Sequence, residues 1–262
     1  MREQKFSKVK PKKHFGQHFL TDKTIAEAIV NLLSNHGNYK QVLEIGAGMG
    51  VLTDFLIQKT DFQTSLIDID KEAIAYLKGN YPQLKKKIIS GDFLALDLAE
   101  LFSEKFAVIG NFPYNISSQI LFKVLDYKDQ IPEIVGMFQK EVAQRIASPP
   151  GNKDYGILSV LMQAFYTIEY CFTVEPYVFD PPPKVKSGVL RLKRNEVMHL
   201  NCDEKLFKLL VKQGFGNRRK TLRNALKALN LSEDFYKDAL MDKRAEQLGV
   251  PEFVYLTQLA SG

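Results

Sequence analysis

Four consecutive residues, Asn111-Phe112-Pro113-Tyr114, set an amide, two aromatic rings and a proline directly after an apolar run, Phe106-Ala107-Val108-Ile109-Gly110. The run reads as a buried strand, so the four residues fall where a strand ends. Proline cannot continue a central strand, and it biases Phe112 towards an extended backbone, which turns the Phe112 carbonyl out of the sheet. Asn111 adds a side-chain oxygen beside that carbonyl, and Tyr114 adds a flat ring. Two acceptors next to a stacking surface suit an exocyclic amine on a flat heterocycle, such as the amino group of adenine. A strand-to-loop turn also uses Asn and Pro for geometry alone, and short motifs match by chance, so the remaining residues decide between the two readings.

Several other positions could bind a nucleoside. Gly46-Ala47-Gly48-Met49-Gly50 follows a strand that ends in an acid, Glu44, and precedes a helical pattern over 51–58. A glycine turn between strand and helix brings a ligand close to bare backbone at a helix N-terminus. Val51 stands where the dinucleotide fingerprint needs a third glycine; Gly-x-Gly-x-Gly after an acid-bearing strand is instead the pattern of methyltransferases that use S-adenosylmethionine. Asp68, at the end of the next strand, can accept hydrogen bonds from both ribose hydroxyls. Asp70 reads as the N-cap of a helix over 71–78. Asp92, in Gly91-Asp92-Phe93, can accept from an adenine amino group or simply cap a turn. Phe179 sits in a proline-braced loop, Pro176 to Val185, where an exposed ring could stack on a base opposite Tyr114, or tuck under the loop. His14 and His18 are four apart, but Gly16 and the absence of helical periodicity argue against a metal site, and a loop closing over a ligand is the better reading.

The elements that must position these residues follow from periodicity. Strands are expected over 41–45, 62–67, 87–90, 106–110, 133–138, 167–174 and 185–192. Helices are expected over 116–125, 140–147 and 158–165, and one with apolar face Ile25, Ala28, Ile29, Leu32 and Leu33 follows Thr21-Asp22. Alternation of strands and helices implies a largely parallel sheet, an α/β Rossmann-like fold. Ligands in such sheets bind at the carboxyl ends of the strands, where Gly46, Asp68, Asp92 and Asn111 all fall. After Arg194 the strand pattern stops and short helices follow. The expected division is a catalytic domain over 1–198, with a basic arm over 1–13, and a helical domain over 199–262. Within the latter, residues 212–227 hold six basic side chains and no acid, so that Arg219, Arg223 and Lys227 would share one helical face. With the arm, this suggests a phosphate-binding surface that includes Arg218, Arg219, Lys220 and Arg223.

The totals agree. The chain has 262 residues, a net charge of +6 and an apolar and charged content typical of a soluble globular protein. The positive balance favours a polyanionic partner. Cys171 and Cys202 form no metal-ligand or redox motif, which suggests free thiols in a reducing, cytoplasmic setting. No secretory signal and no stretch long enough to span a bilayer is apparent.

The motifs together resemble the ribosomal RNA adenine N6-dimethyltransferase family, most of all its KsgA (RsmA) branch, from about His14 to the end of the chain. The matching stretches are Gly16-Gln17-His18-Phe19-Leu20, Glu44 to Gly50, Gly91-Asp92-Phe93, Asn111-Phe112-Pro113-Tyr114, Phe179 to Ser187 and Phe215 to Asn224. Two departures are Phe112, where Leu is commoner, and Asp68, where Glu is usual. The resemblance implies that His18, Leu20, Gly46, Asp68, Asp92 and Asn111 contact S-adenosylmethionine, and that Asn111, Phe112, Pro113, Tyr114 and Phe179 form the adenine pocket. It implies dimethylation of two adjacent adenines in a hairpin loop near the 3′ end of 16S rRNA during small-subunit assembly. A monomer with no metal and no membrane partner is expected. A large-subunit rRNA dimethyltransferase, a DNA adenine methyltransferase and a non-catalytic RNA-binding assembly factor are the rival readings.

Overall fold

The computed structural model describes residues 9–261. Arg2, Lys5 and Lys8 of the basic arm lie outside the described residues. The chain runs β1 (Phe19–Leu20), α1 (Lys23–Val30), β2 (Gln41–Ile45), α2 (Thr53–Leu56), β3 (Gln63–Asp68), α3 (Lys71–Asn80), β4 (Ile88–Ser90), α4 (Leu98–Leu101), β5 (Phe106–Asn111), α5 (Ser117–Asp126), β6 (Glu133–Gln139), α6 (Lys140–Ala147), α7 (Ile157–Gln163), β7 (Tyr166–Val174), β8 (Phe179–Asp180), β9 (Ser187–Arg194), α8 (Glu204–Gly216), α9 (Leu222–Ala225), α10 (Glu233–Lys237) and α11 (Val250–Ser261).

β2 to β6 are mostly buried and mainly apolar, as suits strands covered on both faces, with Glu44, Thr64, Ser65 and Glu133 among the buried polar exceptions. They form the parallel part of a seven-stranded sheet in the order β4-β3-β2-β5-β6-β9-β7. β9 returns antiparallel to β6. The strand order reverses between β2 and β5, where Glu44 lies opposite Ile109. The connections leaving these two strands part to opposite sides, and the gap at their carboxyl ends is where ligands bind in open sheets of this kind. The Gly46–Gly50 turn leaves β2 and Asn111 ends β5, so both border that gap. The core under the sheet gathers Val42, Ala107, Ile109, Val135 and Met137 with Ala26, Ile29 and Val30 of α1. α1 starts where Asp22 accepts from the backbone N–H groups of Thr24 and Ile25, as an N-cap should.

The parallel α/β framework agrees with the expectation. The chain divides into two compact units, one of residues 1–143 and 169–194, the other of 144–168 and 195–262. The expected boundary at 198/199 lies near the second break, but 144–168, assigned from sequence to the first domain, belongs with the helical unit. The reason is packing: α7 buries Leu158, Val160 and Leu161, and its partners are α8 and α11. Cys171 and Cys202 are free.

Candidate active site

At the end of β2 the backbone turns through Gly48 with φ +55, and a Cβ there would stand 2.9 Å from the Phe19 ring. Conformation and space both exclude a side chain, which leaves bare backbone facing the cleft. The Gly48 N–H donates to Asp68 Oδ2 at 2.9 Å, and the Asp70 N–H donates to Asp68 Oδ1 at 2.8 Å. Burial pushes the Asp68 carboxyl up, while these N–H bonds pull it back. The carboxylate has four lone-pair sites, so it keeps capacity for a hydroxyl donor beside these N–H groups. Asp92 lies at the end of β4, where Oδ1 accepts from the Leu94 N–H at 2.9 Å. It therefore shapes its turn and also lines the cleft. Glu44 stands apart from the cleft: it is buried, accepts from Thr53 Oγ1 at 2.6 Å, and is pushed up to about 8 by burial.

At the other end, Asn111 Nδ2 donates to the His18 carbonyl at 2.8 Å. A carbonyl can only accept, so the Asn111 amide is fixed with Nδ2 on His18 and Oδ1 left over. Among the described residues no donor reaches Oδ1 or the Phe112 carbonyl. The Phe112 N–H donates to the Met137 carbonyl at 3.2 Å. Its ring is buried edge-on to Phe138, with centroids 5.2 Å apart and planes at 72°. The ring fits because residue 136 is glycine: a Cβ there would stand 2.3 Å from Phe112 Cε2. The larger side chain at 112 thus fills a slot behind the strand. The Tyr114 hydroxyl pairs with Ser187 Oγ at 2.6 Å, and its ring lies 5.5 Å from the His18 ring at 28°. His18 Nδ1 is 2.7 Å from the Pro181 carbonyl and so carries the proton.

These groups converge. One cleft of about 230 Å³ is lined by His18, Gly46, Asp68, Asp92, Asn111, Phe112, Pro113 and Tyr114. Two expected site residues are not brought to it. Leu20 and Phe179 are paired across the β1–β8 ribbon and are buried in the core with Ile29 and Val178. Of the two readings left open for Phe179, the structure has the tucked one, because the ribbon turns that ring inwards; the role in the adenine pocket that the resemblance implies finds no exposed ring here. The basic run also differs from expectation. α8 stops at Gly216 and α9 starts at Leu222, so no helical face joins Arg219, Arg223 and Lys227. Arg218 is held by Glu246 at 2.6 Å and by the Lys153 carbonyl. Arg223 is held by Asp242 at 2.8 Å and by the Tyr236 carbonyl. Arg219 and Lys220 are exposed, with no acidic partner among the described residues.

Sequence reasoning missed some contributors. Ile69 and Asn115 line the cleft, and both sit next to noted motifs, so adjacency was their only signal. Lys123 of α5 reaches the loop after Asp92: Nζ donates to the Leu94 carbonyl at 3.0 Å and also to the Leu96 carbonyl, and lies 5.4 Å from the Phe93 ring centroid. Burial pulls its amine down. A lone lysine on an amphipathic helix carries no mark of this.

A family model described as ribosomal RNA adenine dimethylase matches residues 8–256. The chain belongs to that family. It is an S-adenosylmethionine-dependent methyltransferase. Similar relatives include the ribosomal RNA small subunit methyltransferase A of Cytophaga hutchinsonii, 63% identical over 97% of this chain and 99% of that protein. The protein of the same name from Flavobacterium johnsoniae is 60% identical over 96% of each chain. Among solved structures, a dimethyladenosine transferase from Plasmodium falciparum superposes with a TM-score of 0.75 at 25% identity, covering 91% of this chain and 96% of that one. The 23S rRNA methyltransferase ErmE superposes at 0.66 with 22% identity, over 92% of this chain and 99% of that one, a likeness of fold alone.

The cleft fits the cofactor of this family on its own terms. A rigid carboxylate at the end of β3, a side-chain-free turn at Gly48 and the apolar walls of Ile69 and Phe93 suit a ribose, an extended chain and a flat base in turn.

Proposed function

We propose that this chain dimethylates the N6 amines of two adjacent adenines in a hairpin loop near the 3′ end of 16S rRNA, acting as a monomer on the small-subunit precursor in the cytoplasm. The observation that carries the reading is the fixed amide of Asn111, whose Oδ1 stands with the Phe112 carbonyl in the same cleft as Gly46, Asp68 and Asp92. The choice of subunit is supported by relatives that carry the small-subunit name at 54–63% identity over nearly the whole chain. Among the described residues no helix is long and apolar enough to cross a membrane.

When bound, the cofactor supplies a methyl group already activated on a sulfonium, so the residues have only to place the nucleophile. An amine on an aromatic ring donates its lone pair into that ring and is a poor nucleophile. Asn111 Oδ1 and the Phe112 carbonyl accept its two hydrogens and turn the lone pair out of the ring plane. Pro113 holds the Phe112 carbonyl in place, and Tyr114, anchored through Ser187, supports the extruded base. Catalysis is then mostly positioning. Asp68 would hold the cofactor's ribose, Asp92 its base and the turn at Gly46 its amino-acid chain. Adenines in an unpaired loop cost least to extrude, which favours a hairpin over a duplex.

Unmodified small subunits incubated with the protein and S-adenosylmethionine are the test. Nucleoside mass analysis should reveal dimethyladenosine in small-subunit rRNA and none in large-subunit rRNA. Modification confined to the large subunit, or no modification of either, would overturn the proposal.

A further inference from the structure

Residues 14–18 line the cleft, and this strap is tied down through Lys12 and Gln17 at a point outside the reacting groups. The Lys12 N–H donates to Gln17 Oε1 at 2.8 Å, so the strap is closed on itself. Gln17 Nε2 then donates to Asp70 Oδ2 at 3.1 Å, and Lys12 Nζ reaches Asp70 Oδ1 at 2.6 Å and Glu72 at 3.1 Å. The Asp70 side chain is fully buried beneath this contact. Burial alone would raise its carboxyl, but the bonds from Lys12 and Gln17 hold it below its ordinary value. Asp70 serves three elements at once: it caps α3 through the Glu72 N–H, it anchors the strap, and its own N–H donates to Asp68.

The far end of the strap meets the acceptor side. The His18 carbonyl takes Asn111 Nδ2. Gly16, at φ +65, lies so close to Asn115 that a Cβ would stand 2.7 Å from Asn115 Oδ1. One short segment thus touches both ends of the cleft, the ribose carboxylate through Asp70 and the amine-facing amide through His18.

We propose that Lys12 and Gln17 are positioning residues: by clasping Asp70 they hold the strap closed across the cleft, and the closed strap fixes Asn111 with Oδ1 towards the acceptor amine. This rests on the reading of the cleft given above. Without the clasp the strap opens more readily in the free protein, so cofactor binding must supply the closure. Affinity falls, and turnover at saturating cofactor is largely retained.

The test compares wild type with Lys12→Met, Lys12→Arg and Gln17→Leu. Cofactor affinity is read by calorimetry, the KM and kcat split on unmodified small subunits, and amide hydrogen exchange over 12–19 in the ligand-free chain. Lys12→Met should weaken cofactor binding by about tenfold, the scale of one charge-assisted hydrogen bond. KM for the cofactor should rise to match while kcat stays within about twofold. Strap amides should exchange faster, and Lys12→Arg should restore all three. Gln17→Leu should act in the same direction. Unchanged affinity and exchange in Lys12→Met, beside a wild type that binds and methylates, would overturn the clasp alone. A loss of folding stability that Lys12→Arg does not repair would overturn it too, by making Lys12 a structural residue. A wild type that fails to bind the cofactor would sink both the clasp and the function on which it rests.

Discussion

Asn111 is held by one hydrogen bond that decides its chemistry. Because Nδ2 is committed to His18, the oxygen has no choice of direction. Asn111→Ala should lower kcat by about 10²- to 10³-fold, as for loss of one preorganised polar group, while cofactor affinity changes by less than about tenfold. Wild-type turnover in that variant would remove Asn111 from the mechanism. Glu44 makes a different prediction. Its carboxyl keeps its proton to about pH 8 when folded, against an ordinary value of 4.5. The folded chain therefore binds more protons than the unfolded chain across that window, and stability falls as pH rises through it. Glu44→Gln keeps an acceptor for Thr53 and removes the titration. It should be more stable than wild type at pH 9, by on the order of a few kcal/mol, with the gap closing towards pH 5. Chemical denaturation at the two pH values checks it, and equal pH slopes for the two proteins would refute it.

At the scale of elements, the slot behind β5 joins two strands through one ring. Gly136→Ala would drive a methyl into Phe112 and should cost about 1–3 kcal/mol, the usual penalty of overpacking. Adding Phe112→Leu should return part of that loss, because the shorter side chain leaves the tightest contact while Phe138 Cε2, 2.8 Å from the same Cβ, stays; additive effects would show that the two positions do not meet. The strands themselves were legible because β2 to β6 are mainly apolar, β-branched-rich runs bounded by turn residues, even though Glu44, Thr64 and Ser65 interrupt them. The helix bounds were legible where an Asx cap stood in front, as at Asp22 and Asp70. The basic run does not form one helix, and its break was signalled locally by Gly216-Asn217, where α8 is capped, and by Thr221, the N-cap of α9. Arg218 and Arg223 find their acids at Glu246 and Asp242, distant in sequence and invisible to periodicity. The sequence leaves Phe179 open between an exposed and a tucked ring, since the inward turn goes with its pairing to Leu20, a partner distant in sequence. The cleft residues at strand ends were legible because topology alone puts them together. The clasp at Asp70 was half legible, as a cap and not as an anchor.

For the molecule as a whole, the structure separates cations that bind outwards from those that bind inwards. Arg219 and Lys220 face solvent, whereas Arg218 and Arg223 are engaged within the helical unit. Arg219→Glu with Lys220→Glu should weaken RNA binding and lower the slope of log affinity against log salt by about one for each phosphate no longer neutralised, without changing the melting temperature. Arg223→Glu should do the reverse, lowering thermal stability and leaving the salt slope nearly intact. Filter binding across a salt series and a thermal melt distinguish the two, and a solvated, idle patch would leave the slope of the double variant unchanged. Finally, the pair of oxygens at Asn111 and Phe112 is constant, but the hydrogens they meet are not. A primary amine offers two and its singly alkylated product offers one. The same pocket thus grips its second guest with one hand free, and in a quenched time course the half-finished nucleoside should build up before the finished one.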